Sequence, residues 1–222
     1  MSKVIIDIET IGRDFAAFEE KDQEYLLKYA KTEEDREAIK NSLALHALTG
    51  EVVTIGMLNP ETRRGVVFLQ NKGEGIEKFE KEGMVYEVGT EKEILEKFWD
   101  VVKTYQQVIT FNGRSFDIPY LMMRSAINQV RVTRNLMGYR YTNREHCDLM
   151  EQFTFYGASR KFSLDFYAKA FGIKSSKEEG IDGSMIGQLY QEKRYLEVAY
   201  YCARDLQTTR ELYEYWYNYL KF

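Results

Sequence analysis

One short apolar run that ends in two carboxylates constrains this chain more than any other feature. Val4-Ile5-Ile6 reads as a buried strand, and Asp7-Ile8-Glu9-Thr10 follows it without a break. Residues two apart in a strand share a face, so Asp7 and Glu9 emerge side by side while Ile6 and Ile8 turn the other way. Adjacent carboxylates repel, and burying either is costly without a partner. A divalent cation answers both problems. A strand end open to water answers them too, and the pair alone does not choose between the two.

Composition narrows the setting. At 222 residues, 44% hydrophobic and 30% charged, the chain suits one folded domain with a sizeable core. Its 31 lysines and arginines meet 35 acids, a net charge of −4. Bulk charge therefore does not mark a nucleic-acid binder, although a site that holds cations needs carboxylates in any case. Cys147 and Cys202 are too few for a disulfide framework or a four-thiolate zinc site, and His46 and His146 are the only histidines. No apolar run approaches the ~18 residues of a membrane span, and Met1-Ser2-Lys3 shows no secretory signal. The expectation is a cytoplasmic protein that does not touch a membrane.

The pattern along the chain predicts an α/β fold: a five-stranded mixed sheet flanked by helices, in one domain over 1–222 with a helical insertion over about 12–48. In that insertion Phe15, Phe18, Tyr25, Leu26 and Tyr29 are spaced as one helical face. Further strands are expected over 52–58, 65–69, 107–111 and 146–149. Thr90 and Glu93 form a capping box that opens a helix through Leu95, Phe98, Trp99 and Val102. Helices are also expected over 117–127, from Ser163 to Phe171 with Gly172 ending it, and over 195–219.

Two more acids stand at informative places. Asp117 ends the run Phe111-Asn112-Gly113-Arg114-Ser115-Phe116-Asp117, where a strand passes through a glycine loop into a helix, and a plain helix cap would also put an acid there. On the last helix Tyr201 and Asp205 are four apart and so share a face. Asp205 falls beside the apolar stripe, where an acid wants a cation or a donor such as Arg204 or Arg210. Brought to one sheet edge, these groups form what a two-metal phosphoryl-transfer site requires: carboxylates that hold two cations roughly 4 Å apart.

The three motifs, in this order and spacing, resemble those of the DEDD exonucleases of the ribonuclease H-like fold. A tyrosine at 201 with no histidine after His146 matches the tyrosine subtype. Ser163-Leu164-Asp165, the run Ala168 to Gly172, Ile181-Asp182-Gly183-Ser184 and the early helical insertion resemble, within that subtype, the proofreading exonuclease domain of family B DNA polymerases in a stand-alone form. The resemblance implies a 3′→5′ exonuclease using two divalent ions, Mg2+ or Mn2+. Asp7 would bridge both ions, Glu9 and Asp205 would complete the site beside the attacking water, Asp117 would hold the second ion, and Tyr201 would orient the water. Ile8, Thr10, Asn112 and Phe116 match positions that contact the terminal nucleotide in relatives, while Asp148 and Asp165 are extra acids near the motifs.

No acid lies between Ile118 and Arg144, whereas Arg124, Arg131, Arg134, Arg140 and Arg144 do, with Tyr139 and Tyr141 interleaved. Guanidinium groups match phosphates and tyrosines stack on unpaired bases, so this segment, with Arg131 and Arg134 foremost, is a candidate to hold a single strand. Arg160 and Lys161 are a second, smaller candidate. The expected substrate is the 3′ end of a single strand, DNA in preference to RNA, with a helicase or polymerase able to supply it in trans. An RNA-trimming enzyme of the ribonuclease D type and a non-catalytic binding module are the alternatives. The intact set of four acids and Tyr201 counts against the module.

Overall fold

The first strand, β1 (Lys3–Gly12), lies inside the sheet rather than at its rim, because its isoleucines and Val4 are buried on both faces. It pairs antiparallel with β2 (Gly50–Leu58), Asp7 opposite Gly56, and parallel with β6 (Gln107–Thr110), Lys3 opposite Gln107. The structure is a computed structural model that describes residues 1–73, 75–175, 177 and 180–221. Beyond β2 come β3 (Gly65–Gln70), β5 (Met84–Gly89) and β4 (Phe79–Lys81), and beyond β6 comes β7 (His146–Asp148).

Among the described residues the sheet therefore has seven strands in the order β4-β5-β3-β2-β1-β6-β7, not the five expected. The missed pair is a hairpin in which Lys81 faces Met84 across the two residues Glu82 and Gly83, at φ 54° and 78°. Two left-handed residues in a row are what a tight hairpin turn demands. Glu-Gly is not the usual Asn-Gly or Asp-Gly signature, so the turn was invisible while the alternation of Met84 and Tyr86 into the core was there to be read.

The insertion also departs from expectation. It holds α1 (Glu20–Leu26) and α2 (Glu33–Ser42), with single 3-10 turns at 15–17 and 43–45. Thr32 and Asp35 form a capping box that starts a new helix and breaks the single face. Tyr25 and Tyr29 are consequently exposed rather than packed.

Helices cover the sheet on both faces, as buried β1 and β2 require. On one face α3 (Glu91–Val102) and α4 (Asp117–Ile127) pack Ile94, Phe98, Trp99, Ile118 and Leu121 against Ile6, Ile8 and Met57. The Thr90–Glu93 capping box is present, and Trp99 Nε1 donates to Ser125 Oγ at 2.8 Å to join the two helices. On the other face α8 (Tyr195–Tyr219) buries Val198, Ala199, Leu206 and Trp216 over Ile5 and Val53. It is joined by α5 (Leu149–Phe153), α6 (Leu164–Ala170) and α7 (Ile186–Gln191); α5 and α7 had no clear sequence signal. Among the described residues, no helix is long and apolar enough to cross a membrane.

Gly56 sets how closely α8 approaches. A Cβ there would lie 2.7 Å from both Cys202 Sγ and Leu206 Cδ1. Only a glycine lets the helix settle onto the strand opposite Asp7, which is how a sheet residue and a helix residue come to share one site.

Candidate active site

Four acids from three parts of the chain converge at this seam. Single carboxylate oxygens of Asp7, Glu9 and Asp205 lie within 4.8 Å of one another. The β1–β2 register shifts between Glu9 and Thr10, a bulge of the kind that re-aims side chains beside sites. Asp117, the first residue of α4, reaches back so that the Ile8 backbone N–H donates to its Oδ1 at 3.2 Å. It bonds to a different element as well as heading its own helix, which a simple cap would not do.

Burial and mutual repulsion raise the proton affinity of Asp7, Glu9 and Asp117. The Asp7 carboxyl is pushed well above the usual range by burial, and then by Asp205, Glu9 and Asp117. Glu9 is raised by burial, Asp205 and Asp117. Asp117 rises to about 7, chiefly through burial, with Asp148 and Asp205 adding to it and the Ile8 N–H opposing it. Asp7 Oδ2 is buried without a hydrogen-bond partner. An orphaned carboxylate oxygen in a knot of like charges is the signature of hard-cation ligands, so the residues present fit divalent ions. The structure brings three of the predicted acids into one cluster and sets Asp117 next to them through Ile8.

Tyr201 is buried one turn before Asp205 on α8. Its hydroxyl is pushed far up by burial and by Asp205, Glu9 and Asp7, and it is hydrogen-bonded to Asp205. It therefore stays protonated, a donor and not a base. The alternative pairing of Asp205 with Arg210 does not occur, because Arg210 turns to Gln207, Glu211 and Glu214.

The loop before Asp117 is held by an acid whose role was not visible in the sequence. Asp148, at the end of β7, accepts from the backbone N–H groups of Asn112 and Arg114 at 2.9 Å each, and from Met150 at 3.0 Å. It is 2% exposed. Asn112 sits at φ 65°, a left-handed conformation uncommon outside glycine. The Asp148 bonds hold it there. Gly113 adds the close approach, since a Cβ would fall 2.5 Å from Thr110 Cβ. His146 donates to or accepts from Thr110 Oγ1 at 2.8 Å and is kept neutral, its pKa lowered to about 4 by burial.

The predicted substrate contacts divide. Thr10 Oγ1 donates to the Ala44 carbonyl at 2.8 Å, tying β1 to the insertion. Phe116 lines an apolar groove of about 780 Å3 between the insertion and α4, with Leu43, Tyr120 and Met123. Ile8 turns its side chain into the core, as strand alternation requires, so only its backbone lies beside the acids. Arg131 and Arg134 lie past the far end of α4, an eleven-residue helix of about 16 Å. Arg134 donates to the carbonyls of Tyr105 and Gln106, just before β6 starts, whereas the site lies where β6 ends. Arg124 is buried in a two-pronged pair with Glu91, at 2.8 and 2.6 Å. Arg124, Arg131 and Arg134 are thus carried away from the acids by α4, and for them spacing in sequence misled about spacing in space.

This geometry has a counterpart among known proteins. A family model described as "Predicted 3'-5' exonuclease related to the exonuclease domain of PolB" matches residues 64–220. The chain belongs to this family. As a PolB-related 3′→5′ exonuclease domain it carries Asp117, Tyr201 and Asp205 inside the matched span, while Asp7 and Glu9 precede it and are tied to them by the fold. DNA polymerase 1 of Sulfolobus acidocaldarius is 25% identical over 75 residues, which is 33% of this chain and 9% of that protein. The family B DNA polymerase of the hyperthermophilic archaeon Pyrobaculum calidifontis shares the fold with a TM-score of 0.61 at 19% identity, covering 97% of this chain and 24% of the polymerase. The exonuclease domain thus spans under a quarter of the polymerases it resembles.

Proposed function

We propose that this domain removes nucleotides one at a time from the 3′ end of a single strand, DNA in preference to RNA, and releases 5′-mononucleotides with the aid of two divalent cations, Mg2+ or Mn2+. The observation that carries the proposal is the cluster of Asp7, Glu9 and Asp205 within 4.8 Å, beside a buried, protonated Tyr201. Asp7 would be the ligand common to both cations, Glu9 and Asp205 would serve the one beside the attacking water, and Asp117 would serve the other. When bound, the cations activate water and offset the charge that develops on the scissile phosphate. The proton affinity of the buried carboxyls becomes cation affinity once protons leave.

Tyr201 would turn its single O–H, bonded to Asp205 in the metal-free protein, toward the attacking water and orient it for in-line attack. Phe116 offers the terminal base an apolar face in the groove, while contact of Thr10 and Asn112 with the terminal nucleotide rests on the resemblance of their motifs alone. The DNA preference is supported by both relatives being DNA polymerases, and a polymerase or helicase acting in trans would supply the frayed end.

Tyr201→Phe keeps the ring and the acids and removes only the donor. Loss of one positioned hydrogen bond of this kind lowers turnover by about 10²-fold, so kcat falls by that order while the Mn2+ concentration for half-maximal activity stays within about twofold. A kcat unchanged in steady-state assays removes Tyr201 from the mechanism. The substrate is tested with 5′-labelled DNA and RNA of one sequence, each incubated with Mg2+, Mn2+ or EDTA. DNA is expected to shorten faster, and only with metal. Faster loss of RNA would instead make this an RNA-trimming enzyme, and binding without cleavage would make it a non-catalytic module.

A further inference from the structure

The surface beyond the Asn112–Asp117 loop carries large aromatic rings that the protein leaves in water. Tyr139, Tyr141, Phe155 and Phe166 are 72%, 60%, 61% and 54% exposed. Tyr25 and Tyr29 are as exposed elsewhere on the protein, so exposure alone marks no surface; what sets these rings apart is how they are grouped and held. Three of them belong to two separate ring groups. Tyr141 lies 5.8 Å from Tyr139 and 5.3 Å from Tyr156, while Phe162 and Phe166 stack at 4.5 Å with the Arg160 guanidinium 4.9 Å above Phe162.

The backbone beneath them is strained. Phe155, Tyr156 and Gly157 run consecutively at φ 51°, 59° and 95°. Left-handed conformation at bulky residues costs on the order of 1–3 kcal/mol each and collects at functional surfaces. The turn persists because Tyr156 N–H donates to the Glu151 carbonyl at 2.7 Å and Ser159 N–H to that of Thr154 at 3.1 Å.

Both groups of rings are braced against the catalytic loop. Glu151 accepts from Arg140 at 2.7 Å and pairs with Arg114 at 3.4 Å, and Arg114 Nη1 donates to the Gly138 carbonyl at 2.9 Å. The Tyr139–Tyr141 loop is thereby locked to the residue whose backbone Asp148 holds beside Asn112. On the other flank Tyr167 bridges Phe162, at 6.3 Å, to Phe111, at 5.6 Å, the residue before Asn112.

We propose that this face is a stacking platform for the unpaired bases of the strand that feeds the metal site, upstream of the terminal nucleotide. The inference rests on the exonuclease reading and adds to it where the rest of the strand runs. Charge favours that occupant: Arg144, Arg160 and Lys161 stand in the same segments as the rings, and the Glu151 carboxylate is taken up by Arg140 and Arg114. Exposed ring faces suit single-stranded bases, whose stacking is worth about 1–3 kcal/mol each and tolerates any sequence. They do not suit a duplex, whose base faces are hidden.

The test compares the wild-type chain with the double variant Tyr139→Ala/Tyr141→Ala, and with Tyr139→Phe/Tyr141→Phe, which keeps the rings. Hydrolysis of a dinucleotide reads the metal site, and hydrolysis of a 12-nucleotide single strand reads the platform as well. The alanine variant is expected to raise KM for the 12-mer about tenfold with kcat little changed, and to lose the advantage of the 12-mer over the dinucleotide; the phenylalanine variant restores it. A 12-mer with abasic upstream positions should bind the wild type and the alanine variant alike. An unchanged KM ratio overturns the platform, as does a loss that falls equally on the dinucleotide or that phenylalanine fails to restore. Fluorescence anisotropy of the labelled 12-mer in EDTA separates this inference from the exonuclease reading. If the wild type cuts neither substrate yet binds the strand and the alanine variant does not, the exonuclease reading fails and the platform stands. Strand binding that the alanine variant retains overturns the platform whatever the hydrolysis shows.

Discussion

Replacing Asp7 by Asn is expected to abolish hydrolysis and at the same time to raise the melting temperature of the metal-free protein. Asp7 is the acid on which the others press: burial raises its proton affinity first, and Asp205, Glu9 and Asp117 raise it further. Its Oδ2 has no hydrogen-bond partner. Asn keeps the shape and removes the group that must either hold a proton or carry a repelled charge there. A cation in such a site contributes several kcal/mol to the transition state, and each 1.36 kcal/mol is tenfold, so activity is expected to fall at least about a thousandfold. The stability gain from relieving such a site is about 0.5–2 kcal/mol, a few degrees in a domain of this size. Calorimetry in EDTA and a single-turnover assay in Mn2+ measure the two halves. Full activity would remove Asp7 from the site, and a lower melting temperature would mean that the repulsion argued here is absent.

Stability of the metal-free protein should fall as pH rises. Asp7, Glu9 and Asp117 all bind protons more tightly folded than unfolded. Such groups give a contribution fully present below the unfolded carboxylate pKa of about 4 and lost as pH climbs through the folded values, about 7 for Asp117. Divalent ions reverse the trend, because they compete with those protons and bind better once they leave. At a hundredfold excess over its Kd an ion adds about 2.7 kcal/mol, or roughly 5–10 °C here. The Mn2+-induced rise in melting temperature is therefore expected to be large at pH 8 and small at pH 5, and nearly absent at both in Asp7→Asn. Differential scanning fluorimetry across this range checks it. A shift of equal size at pH 5 and pH 8 would mean that Mn2+ does not compete with these protons.

What could be read in advance follows from range. The Asp7/Glu9 pairing, the α3 capping box and the bounds of α4 and α8 depend on neighbours in sequence, and each is found where the pattern put it. The β4–β5 hairpin was missed because its turn, Glu82-Gly83, is an unusual sequence for a common shape. The insertion misled because even spacing of aromatics does not say whether a second face exists to receive them. Arg134 shows the same limit at the site: its charge was legible, but its position depends on α4 carrying it away from the acids. In the sequence Asp148 is only an extra acid near the motifs. That its carboxylate grips the Asn112–Arg114 backbone depends on β6 and β7 lying side by side, which no local pattern encodes. Gly56 is similar: its need for a missing Cβ becomes visible only with α8 in place.

The most direct test of the central claim is a count of bound Mn2+ by electron paramagnetic resonance. The metal-free chain is titrated in the presence of a nucleoside 5′-monophosphate, beside Asp7→Asn and Asp117→Asn. Two ions per wild-type chain, falling to one with Asp117→Asn and to none of comparable affinity with Asp7→Asn, is the result this account predicts. Saturable Mn2+ binding that survives Asp7→Asn unchanged, or no binding to the wild type at all, would contradict it.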